Sequence, residues 1–489
     1  MSNRRQFLSF AALSLASSSA LADSLTYRSF HAALAQNAQL SVYADSSGDL
    51  SGQATVLGQL PRDLNGVFFR NGPGRFELGG ERYHHWFDGD GFAQRWHIAD
   101  GKVSHAGRFV ATQKFVEESA AGQFLYPAFG TFVDRKRVKG NDTVNVANTN
   151  LLPLNGRVYA LWEGGSATEL DPQTLATRGI KTWREDLKAM PFSAHPKADS
   201  DGGLWNFGTS PGADRLMIYR LNAAGEVTRT AMLTVPQLNM VHDFVVSGRH
   251  LIFLVSPYDW ELGPDHSLAG SMHWNAGRPL RAVVISKDTL ALRQVFELPA
   301  RAVFHLGNAY EDGACTRLDA VLHEGDALRK TALPMRGESR MTADHPSATV
   351  QITLDYASGQ AREARLFGVS EFPRVMPQVV SARHRKLMVL GASGRELILD
   401  SVNLIDTDSG KVDGYAFGPG WQVEEHVLVP RRGARSETDG YVVGVAQDTR
   451  RAQSVLTVFD AHNIKAGPMA LARLPYRAPV CFHGNFLAA

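Results

Sequence analysis

Four histidines in this chain have the local settings expected of metal ligands: His195, His242, His305 and His483. They are 47, 63 and 178 residues apart, and three of them have apolar or small neighbours. Four imidazoles around one point would suit iron, zinc, copper or nickel. Because a single histidine in an apolar strand is more often a core residue than a ligand, the hypothesis requires a fold that brings all four together.

A repeat architecture does this most simply. Seven polar turns interrupt apolar, alternating segments in the manner of hairpins, and they are centred on Asp100, Asp171, Asn222, Asp288, Asp355, Asp406 and Asp460. Their spacings of 71, 51, 66, 67, 51 and 54 residues predict an all-β fold, a seven-bladed β-propeller. The long connections 111–150 and 256–282, partly helical, are expected to form a cap over the metal face.

Composition agrees with a globular, turn-rich protein, since 44% of the 489 residues are hydrophobic and 45 are glycine. The chain has 51 basic and 49 acidic residues and no basic run, which argues against nucleic-acid binding. Cys315 and Cys481 form no CxxC pair, and we expect two buried free thiols rather than a disulfide.

The first 22 residues have the pattern of a twin-arginine export signal. Arg4 and Arg5 precede an uncharged stretch that ends in Ala20-Leu21-Ala22, a small-residue cleavage site. An ordinary N-terminal helix or a membrane anchor is the alternative. The pattern predicts a periplasmic protein. With the signal set aside, residues 23–489 are predicted to form a single propeller domain. Beyond this segment, no stretch approaches the roughly 20 apolar residues that span a bilayer.

Short motifs along almost the entire mature chain resemble, in the same order, those of the carotenoid cleavage oxygenases. They are Arg70-Asn71-Gly72-Pro73, His85-Trp86-Phe87-Asp88-Gly89-Asp90-Gly91-Phe92, Leu161-Trp162-Glu163-Gly164-Gly165, Glu371-Phe372-Pro373-Arg374, Val427-Leu428-Val429-Pro430-Arg431 and Phe482-His483-Gly484-Asn485. Each motif is weak alone, but the ordered set is specific.

The resemblance implies a seven-bladed propeller with one Fe(II) on its axis, held by the four histidines. It also implies three glutamates that hydrogen-bond to three of them, at Glu163, Glu371 and Glu425, and leaves His195 without such a partner. Carboxylates of this kind fix the imidazole tautomer and supply compensating charge. Glu424 adjoins Glu425, but Glu425 has the family's spacing to Pro430-Arg431.

Two further assignments concern the surroundings of the metal. Thr149 matches a position where the family places a small side chain near an open coordination site; a strand threonine without a role is the alternative. Aromatic residues are candidates to line the substrate tunnel, with core packing as their alternative: Phe109, Phe115, Phe124, Tyr126, Phe129 and Trp162.

The function implied is that of an Fe(II)-dependent dioxygenase, with O2 as co-substrate and no organic cofactor. It would cleave a conjugated carbon–carbon double bond of a carotenoid or apocarotenoid into two carbonyl products. Phenolic stilbenes are the alternative substrate. Phenol-selecting members tend to place Lys before the first glutamate and Tyr upstream, where this chain has Trp162 and Phe109, which favours an apolar polyene.

Two other classes remain open at this stage: a zinc enzyme using the same imidazoles, and a non-catalytic propeller. A rim in peripheral contact with a membrane is an expectation from the family. The sequence leaves the oligomeric state undetermined.

Overall fold

The computed structural model describes residues 25–210, 212–263, 266–338, 346–394 and 398–489. The expected export signal, residues 1–22, lies outside them. The described residues form 34 strands: β1 Leu50–Gln53, β2 Thr55–Gly58, β3 Gly66–Arg75, β4 Glu77–Leu78, β5 Glu81–Arg82, β6 Asp90–Ala99, β7 Lys102–Phe109, β8 Asn150–Leu154, β9 Arg157–Leu161, β10 Thr168–Leu170, β11 Thr177–Ile180, β12 Lys197–Ala198, β13 Leu204–Ser210, β14 Arg215–Leu221, β15 Val227–Thr234, β16 Val245–Val246, β17 His250–Val255, β18 Tyr258–Trp260, β19 Met272–Trp274, β20 Leu280–Ser286, β21 Leu292–Leu298, β22 Ala302–Asp312, β23 Cys315–His323, β24 Ser347–Asp355, β25 Gln360–Phe367, β26 Ser370–Arg374, β27 Lys386–Gly391, β28 Ser401–Asp406, β29 Val412–Ala416, β30 Trp421–Pro430, β31 Gly440–Asp448, β32 Gln453–Asp460, β33 Ala470–Arg473 and β34 His483–Ala488.

In the part of the chain that the structure describes, helical structure is confined to short segments. Residues 25–34 are helical, and two α-helices span Gln113–Ala121 and Ala327–Ala332. Short 3₁₀ segments span Ala38–Tyr43, Trp86–Asp88, Asn141–Val144, Glu185–Leu187, Ala269–Ser271, Leu333–Arg336, Pro377–Val379 and Ile464–Ala466. Among the described residues, no helix has both the length and the apolar character needed to cross a membrane.

Seven antiparallel sheets form the blades of a β-propeller, which confirms the predicted fold. From the innermost strand outward they are β34-β3-β6-β7-β1, β8-β9-β10-β11, β12-β13-β14-β15, β16-β17-β20-β21, β22-β23-β24-β25, β26-β27-β28-β29 and β30-β31-β32-β33-β2, numbered here as blades 1 to 7. Strands β4–β5 and β18–β19 form two small additional hairpins. Blade 1 combines β34 with strands from the opposite end of the chain, and this pairing closes the ring.

All seven predicted turns connect the third and fourth strands of a blade. In the first of them, both central residues have positive φ, at 51° for Asp100 and 71° for Gly101, as a two-residue type I′ hairpin requires. The spacing pattern therefore marked one equivalent position in every blade.

The core lies between neighbouring blades. Ile252 and Val284 of blade 4, for example, pack in one cluster with Leu318 and Ile352 of blade 5. Because both faces of a middle strand are covered, every residue of β17 and of β31 is buried, whereas most of the outer strand β25 is exposed.

Three innermost strands carry a β-bulge where they meet the centre of the ring. Register shifts occur between Val303 and Leu306 in β22, between Glu371 and Arg374 in β26, and between Val423 and His426 in β30. At each of these shifts the inner strand has one extra residue, which breaks the alternation of side chains and re-aims them. A second shift of the same kind lies between Leu306 and Ala309 in β22.

Gly444 of β31 accommodates the bulge in β30. A Cβ at this position would lie 2.2 Å from Cγ of His426, so the close approach of the buried ring requires glycine.

Four chain segments outside the blades contribute residues to the wall of a large cavity. Two of them, 111–150 and 256–282, are the predicted cap. The other two, 36–43 and 327–338, were not anticipated, because neither is an unusually long connection between predicted strands. Cys315 and Cys481 are free thiols; Cys481 is buried as expected, and Cys315 is half-buried.

Candidate metal centre

The four histidines meet on the propeller axis. One ring nitrogen from each of His195, His242, His305 and His483 lies within 4.8 Å of the other three. Nε2 of His195 is 2.8 Å from Nε2 of His242, and Nε2 of His305 is 3.2 Å from Nε2 of His483. A first-row metal bound at about 2.0–2.1 Å from each imidazole fits between nitrogens at these separations.

Each histidine belongs to a different blade and lies in, or just before, its innermost strand. His305 lies in β22 beside its bulge, and His483 is the first residue of β34. His195 and His242 precede β12 and β16 by two and three residues. The inner strands of blades 2, 6 and 7 provide no histidine to the group, but each of these blades provides a glutamate: Glu163 just after β9, Glu371 in β26 and Glu425 in β30.

Three glutamates accept hydrogen bonds from the outward-facing nitrogens of three histidines. Nδ1 of His242 is 2.5 Å from Glu163, Nδ1 of His305 is 2.6 Å from Glu371, and Nδ1 of His483 is 3.1 Å from Glu425. An Nδ1–H donated outward leaves the Nε2 lone pair directed at the axis, which is the tautomer that a metal requires.

His195 has no glutamate partner, and the nearest carboxylate, that of Asp243, lies 3.8 Å from its Nδ1. Asp243 is instead bound by the Lys197 ammonium at 2.8 Å and by the Leu306 backbone N–H at 2.9 Å. The histidine for which the sequence predicts no glutamate is therefore the one without a glutamate here.

Burial and a neighbouring carboxylate shift the pKa of an imidazole in opposite directions. Burial lowers the pKa of His483 to about 3, and burial together with the neighbouring imidazoles places the pKa of His195 well below its usual range. Burial also acts on His242, but the Glu163 carboxylate prevails and raises the pKa of that imidazole. Neutral imidazoles such as His195 and His483 are ready to bind a metal without first losing a proton.

The adjacent pair Glu424 and Glu425 is divided between two environments. Glu425 faces His483, and the Arg374 guanidinium and His483 lower the pKa of its carboxyl against the effect of burial. Glu424 lies 3.2 Å from Arg70 and accepts the backbone N–H of Cys481 at 2.8 Å, while burial raises the pKa of its carboxyl. Glu425, identified by its spacing to Pro430-Arg431, is therefore the member of the pair that contacts a candidate metal ligand.

Sequence reasoning missed one histidine at the centre. Nε2 of His323 is 2.6 Å from Oε1 of Glu371, so this carboxylate is shared between His323 and His305. His323 ends β23, one strand away from the axis, and nothing in its local sequence distinguishes it among the 17 histidines. Phe372, in a left-handed conformation with φ of 57°, stacks on the His305 ring at 4.8 Å.

A cavity of about 1090 Å³ reaches from the surface to the histidines. His242, His305 and His483 lie in its wall, and apolar side chains form much of the remainder, among them Phe87, Phe129, Met240, Phe304, Leu399 and Phe482. Thr149 also lines it and donates its hydroxyl to Asn148 Oδ1 at 3.0 Å. Such a cavity suits a long apolar ligand that ends at the metal.

Most of the predicted tunnel residues lie elsewhere. Trp162 and Phe129 line the cavity, but Phe109, Phe115, Phe124 and Tyr126 do not. Phe109 stacks on Phe115 at 5.0 Å, and Phe124 stacks on Tyr83 at 4.0 Å. The hydroxyl of Tyr126 bonds to the Glu117 carboxylate. These rings pack around the helix Gln113–Ala121, so the core-packing alternative is the correct one for all four.

The family model described as "Retinal pigment epithelial membrane protein" matches residues 44–488. The chain is 29% identical to apocarotenoid-15,15'-oxygenase of Synechocystis over 88% of its length and 92% of the relative. It is 27% identical to isoeugenol monooxygenase of Pseudomonas nitroreducens, over 88% of the chain and 93% of the relative. It is 28% identical to lignostilbene-alpha,beta-dioxygenase isozyme III of Sphingomonas paucimobilis, over 89% of the chain and 93% of the relative.

Solved structures give the same result. A variant of the Synechocystis apocarotenoid oxygenase superimposes with a TM-score of 0.84 at 26% identity, covering 93% of this chain and 99% of that one. The cobalt-substituted form of the same enzyme superimposes with a TM-score of 0.82 at 27% identity, over 93% of this chain and 99% of that one.

Removal of one imidazole is expected to abolish stable metal binding. After anaerobic reconstitution with Fe(II) and gel filtration, His305→Ala should retain at least tenfold less iron per chain than the unsubstituted protein, because only three imidazole ligands remain. Plasma mass spectrometry measures the retained metal. The exposed His462, replaced by Ala, is the matched control and should retain a full complement. Equal iron in the two variants would show that the metal binds elsewhere.

Proposed function

The chain belongs to the retinal pigment epithelial membrane protein family, the family of the carotenoid cleavage oxygenases, and we propose that it is an Fe(II)-dependent dioxygenase acting on carotenoids or apocarotenoids. It cleaves an alkene double bond, as the oxygenases of this family do. The finer proposal is that it uses O2 to cut a conjugated carbon–carbon double bond into two carbonyl products.

The proposal is supported chiefly by the position of the histidine group at the wall of an apolar cavity. Four imidazole nitrogens lie within 4.8 Å of one another, and the three histidines backed by carboxylates lie in the wall of a large and mainly apolar cavity. Ferrous iron, when bound there, would supply the activation of O2. The donor set fits this ion because a ligand set of four nitrogens leaves octahedral positions open.

The protein's own contribution is binding, orientation and exclusion of water. Apolar and aromatic walls hold a linear alkene against the metal end of the cavity, and the buried rings of Phe304 and Phe482 lie beside the histidines. Holding reactants in a fixed geometry replaces catalysis by an acidic or basic side chain in this type of reaction. No side chain is required as a nucleophile.

A polyene is proposed over a phenolic stilbene chiefly because of Trp162. This residue lies in the cavity wall beside Glu163, where an ammonium group would be needed to hold a phenolate. Phe109, which also entered the substrate prediction, packs against Phe92 and Phe115 and is not part of the cavity wall, so it carries no weight in the choice. A volume of about 1090 Å³ also exceeds the needs of a two-ring stilbene.

Product analysis distinguishes the candidate substrates. Fe(II)-loaded protein incubated in air with carotenoids, apocarotenals and hydroxystilbenes should yield aldehyde pairs from the polyenes, detected by liquid chromatography and mass spectrometry. No product should form without O2 or with His305→Ala. Aromatic aldehydes from stilbenes alone would overturn the substrate class. Activity with zinc in place of iron, or no cleavage by fully iron-loaded protein, would overturn the dioxygenase proposal.

Peripheral contact with a membrane is proposed at the mouth of the cavity. Leu262, Phe132 and Leu268 are 65%, 40% and 45% exposed, which is unusual for such side chains. The two loops that carry them are joined, because Phe132 lies 5.3 Å from the His266 ring and Ala269 donates its N–H to Phe129. Phe132 and Leu268 also line the cavity, so an apolar ligand could pass from lipid to the interior without crossing water.

Vesicle flotation tests this contact. The double substitution Phe132→Asp and Leu268→Asp should reduce the fraction bound to phosphatidylcholine vesicles several-fold, because each carboxylate would have to enter an apolar phase. The matched control replaces two exposed apolar residues on outer strands, Met232→Asp and Leu292→Asp, and should float like the parent protein. Equal flotation of both double variants would exclude the mouth as the docking surface.

Export to the periplasm by the twin-arginine route is also proposed, on the pattern of residues 1–22 alone. Replacing Arg4 and Arg5 by Lys should leave the protein in the cytoplasmic fraction of a host that has this pathway, since the paired arginines are the recognition signal. Cell fractionation with immunoblotting measures the distribution, and an unchanged periplasmic share would contradict the proposal.

A further inference from the structure

The three glutamates behind the histidines differ in their other contacts. Glu163 contacts His242 and has a side chain that is one-third exposed. Glu371 is shared by His305 and His323. Glu425, the third, is 3% exposed and forms an ion pair with a guanidinium.

That guanidinium belongs to Arg374, and it competes with a candidate metal ligand for one oxygen. Oε1 of Glu425 accepts from Nε of Arg374 at 2.9 Å and from Nδ1 of His483 at 3.1 Å. The His483 bond is also the longest of the three histidine–glutamate contacts, the others being 2.5 and 2.6 Å. A cation on the shared oxygen reduces the negative charge available to the imidazole.

Other buried carboxylates close to the axis are paired in the same way. Asp243 is bound by Lys197 at 2.8 Å, and Glu424 by Arg70 at 3.2 Å. Within the described parts of the chain, by contrast, no lysine or arginine nitrogen lies within 4.0 Å of the Glu163 or Glu371 carboxylates. The Glu163 and Glu371 carboxylates thus have histidine partners but no lysine or arginine partner, and they surround a site for a doubly charged cation.

We propose that Arg374 sets the charge of the metal centre. By pairing with Glu425 it removes one of three negative charges, so that two carboxylates balance a divalent ion and the reduced, Fe(II) state is favoured over Fe(III). The inference rests on the proposed function, because it takes the metal to be iron. Arg374 acts through Glu425 and His483, and it is a positioning residue.

The physical basis is the strength of charge interactions away from bulk water. Loss of the guanidinium would leave three uncompensated carboxylates around the ion. Extra negative charge stabilises the trivalent state more than the divalent state, and an effective dielectric constant of about 20 is too low to screen this difference. A purely structural role, in which Arg374 only ties β26 to β30 and to the Gly484 carbonyl, predicts no such bias.

Four variants separate charge from structure: Arg374→Gln, Arg374→Lys, Glu425→Gln and the double variant Arg374→Gln with Glu425→Gln. The readout is the equilibrium ratio of Fe(III) to Fe(II) in substrate-free protein at fixed solution potentials, measured by electron paramagnetic resonance. Activity is not needed for it, and iron content and circular dichroism are recorded for each protein.

Arg374→Gln should shift the ratio toward Fe(III) by about tenfold, which corresponds to a midpoint potential lower by about 59 mV. Arg374→Lys retains the charge and should match the parent protein. Glu425→Gln should shift the ratio in the opposite direction. In the double variant both charges are absent, and its ratio should return to within about threefold of the parent.

The proposal is overturned if Arg374→Gln leaves the ratio unchanged or shifts it toward Fe(II), or if the double variant deviates as far as Arg374→Gln. If Arg374→Gln does not fold, the comparison of Glu425→Gln with the double variant measures the same guanidinium, and equal ratios there would refute its effect. A parent protein that takes up no iron would defeat the proposed function and this inference together. A parent that binds iron and cleaves substrate, without an Arg374 effect, defeats the inference alone.

Discussion

The structure depends on bringing four imidazole nitrogens to one point with their lone pairs turned inward. The four rings belong to four blades, and their nitrogens nevertheless lie within 4.8 Å of one another. A ring of blades makes this possible because its innermost strands all pass the same axis. Bulges in β22, β26 and β30 then re-aim individual side chains, and the carboxylates of Glu163, Glu371 and Glu425 fix the tautomers.

Concentrating charge at a buried axis is costly unless each charge has a counterpart. The chain meets this requirement with groups of alternating charge arranged around the metal position. Imidazoles surround the metal position, carboxylates surround the imidazoles, and basic side chains reach two of the inner-strand carboxylates, Glu424 and Glu425. The pair of Arg70 with Glu424 also has a structural role, because Glu424 links Arg70 of β3 to the backbone of Cys481.

The parts of this arrangement that follow chain periodicity or short motifs could be predicted from sequence. The seven hairpin turns mark equivalent positions in every blade, and the four histidines stand in recognisable local settings. His323 and Arg374 could not be placed in this way, because their roles depend on which carboxylate each contacts in the folded chain. Phe109, Phe115, Phe124 and Tyr126 were misassigned for a related reason: an aromatic residue near a cavity and one packed against a helix are alike in sequence.

The pairing of β34 with β3 joins segments more than 400 residues apart, and β34 begins with His483. Contacts so distant in sequence form late in folding, because the chain entropy of closing a large loop must be overcome first. The seam of the ring and the fourth imidazole are therefore completed in the same event. A ligand that binds only the closed form stabilises it by mass action, so a metal on the axis would stabilise the pairing of β3 with β34. Metal binding and closure of the ring would consequently be coupled, and loss of the metal would make the pairing of β3 with β34 less stable.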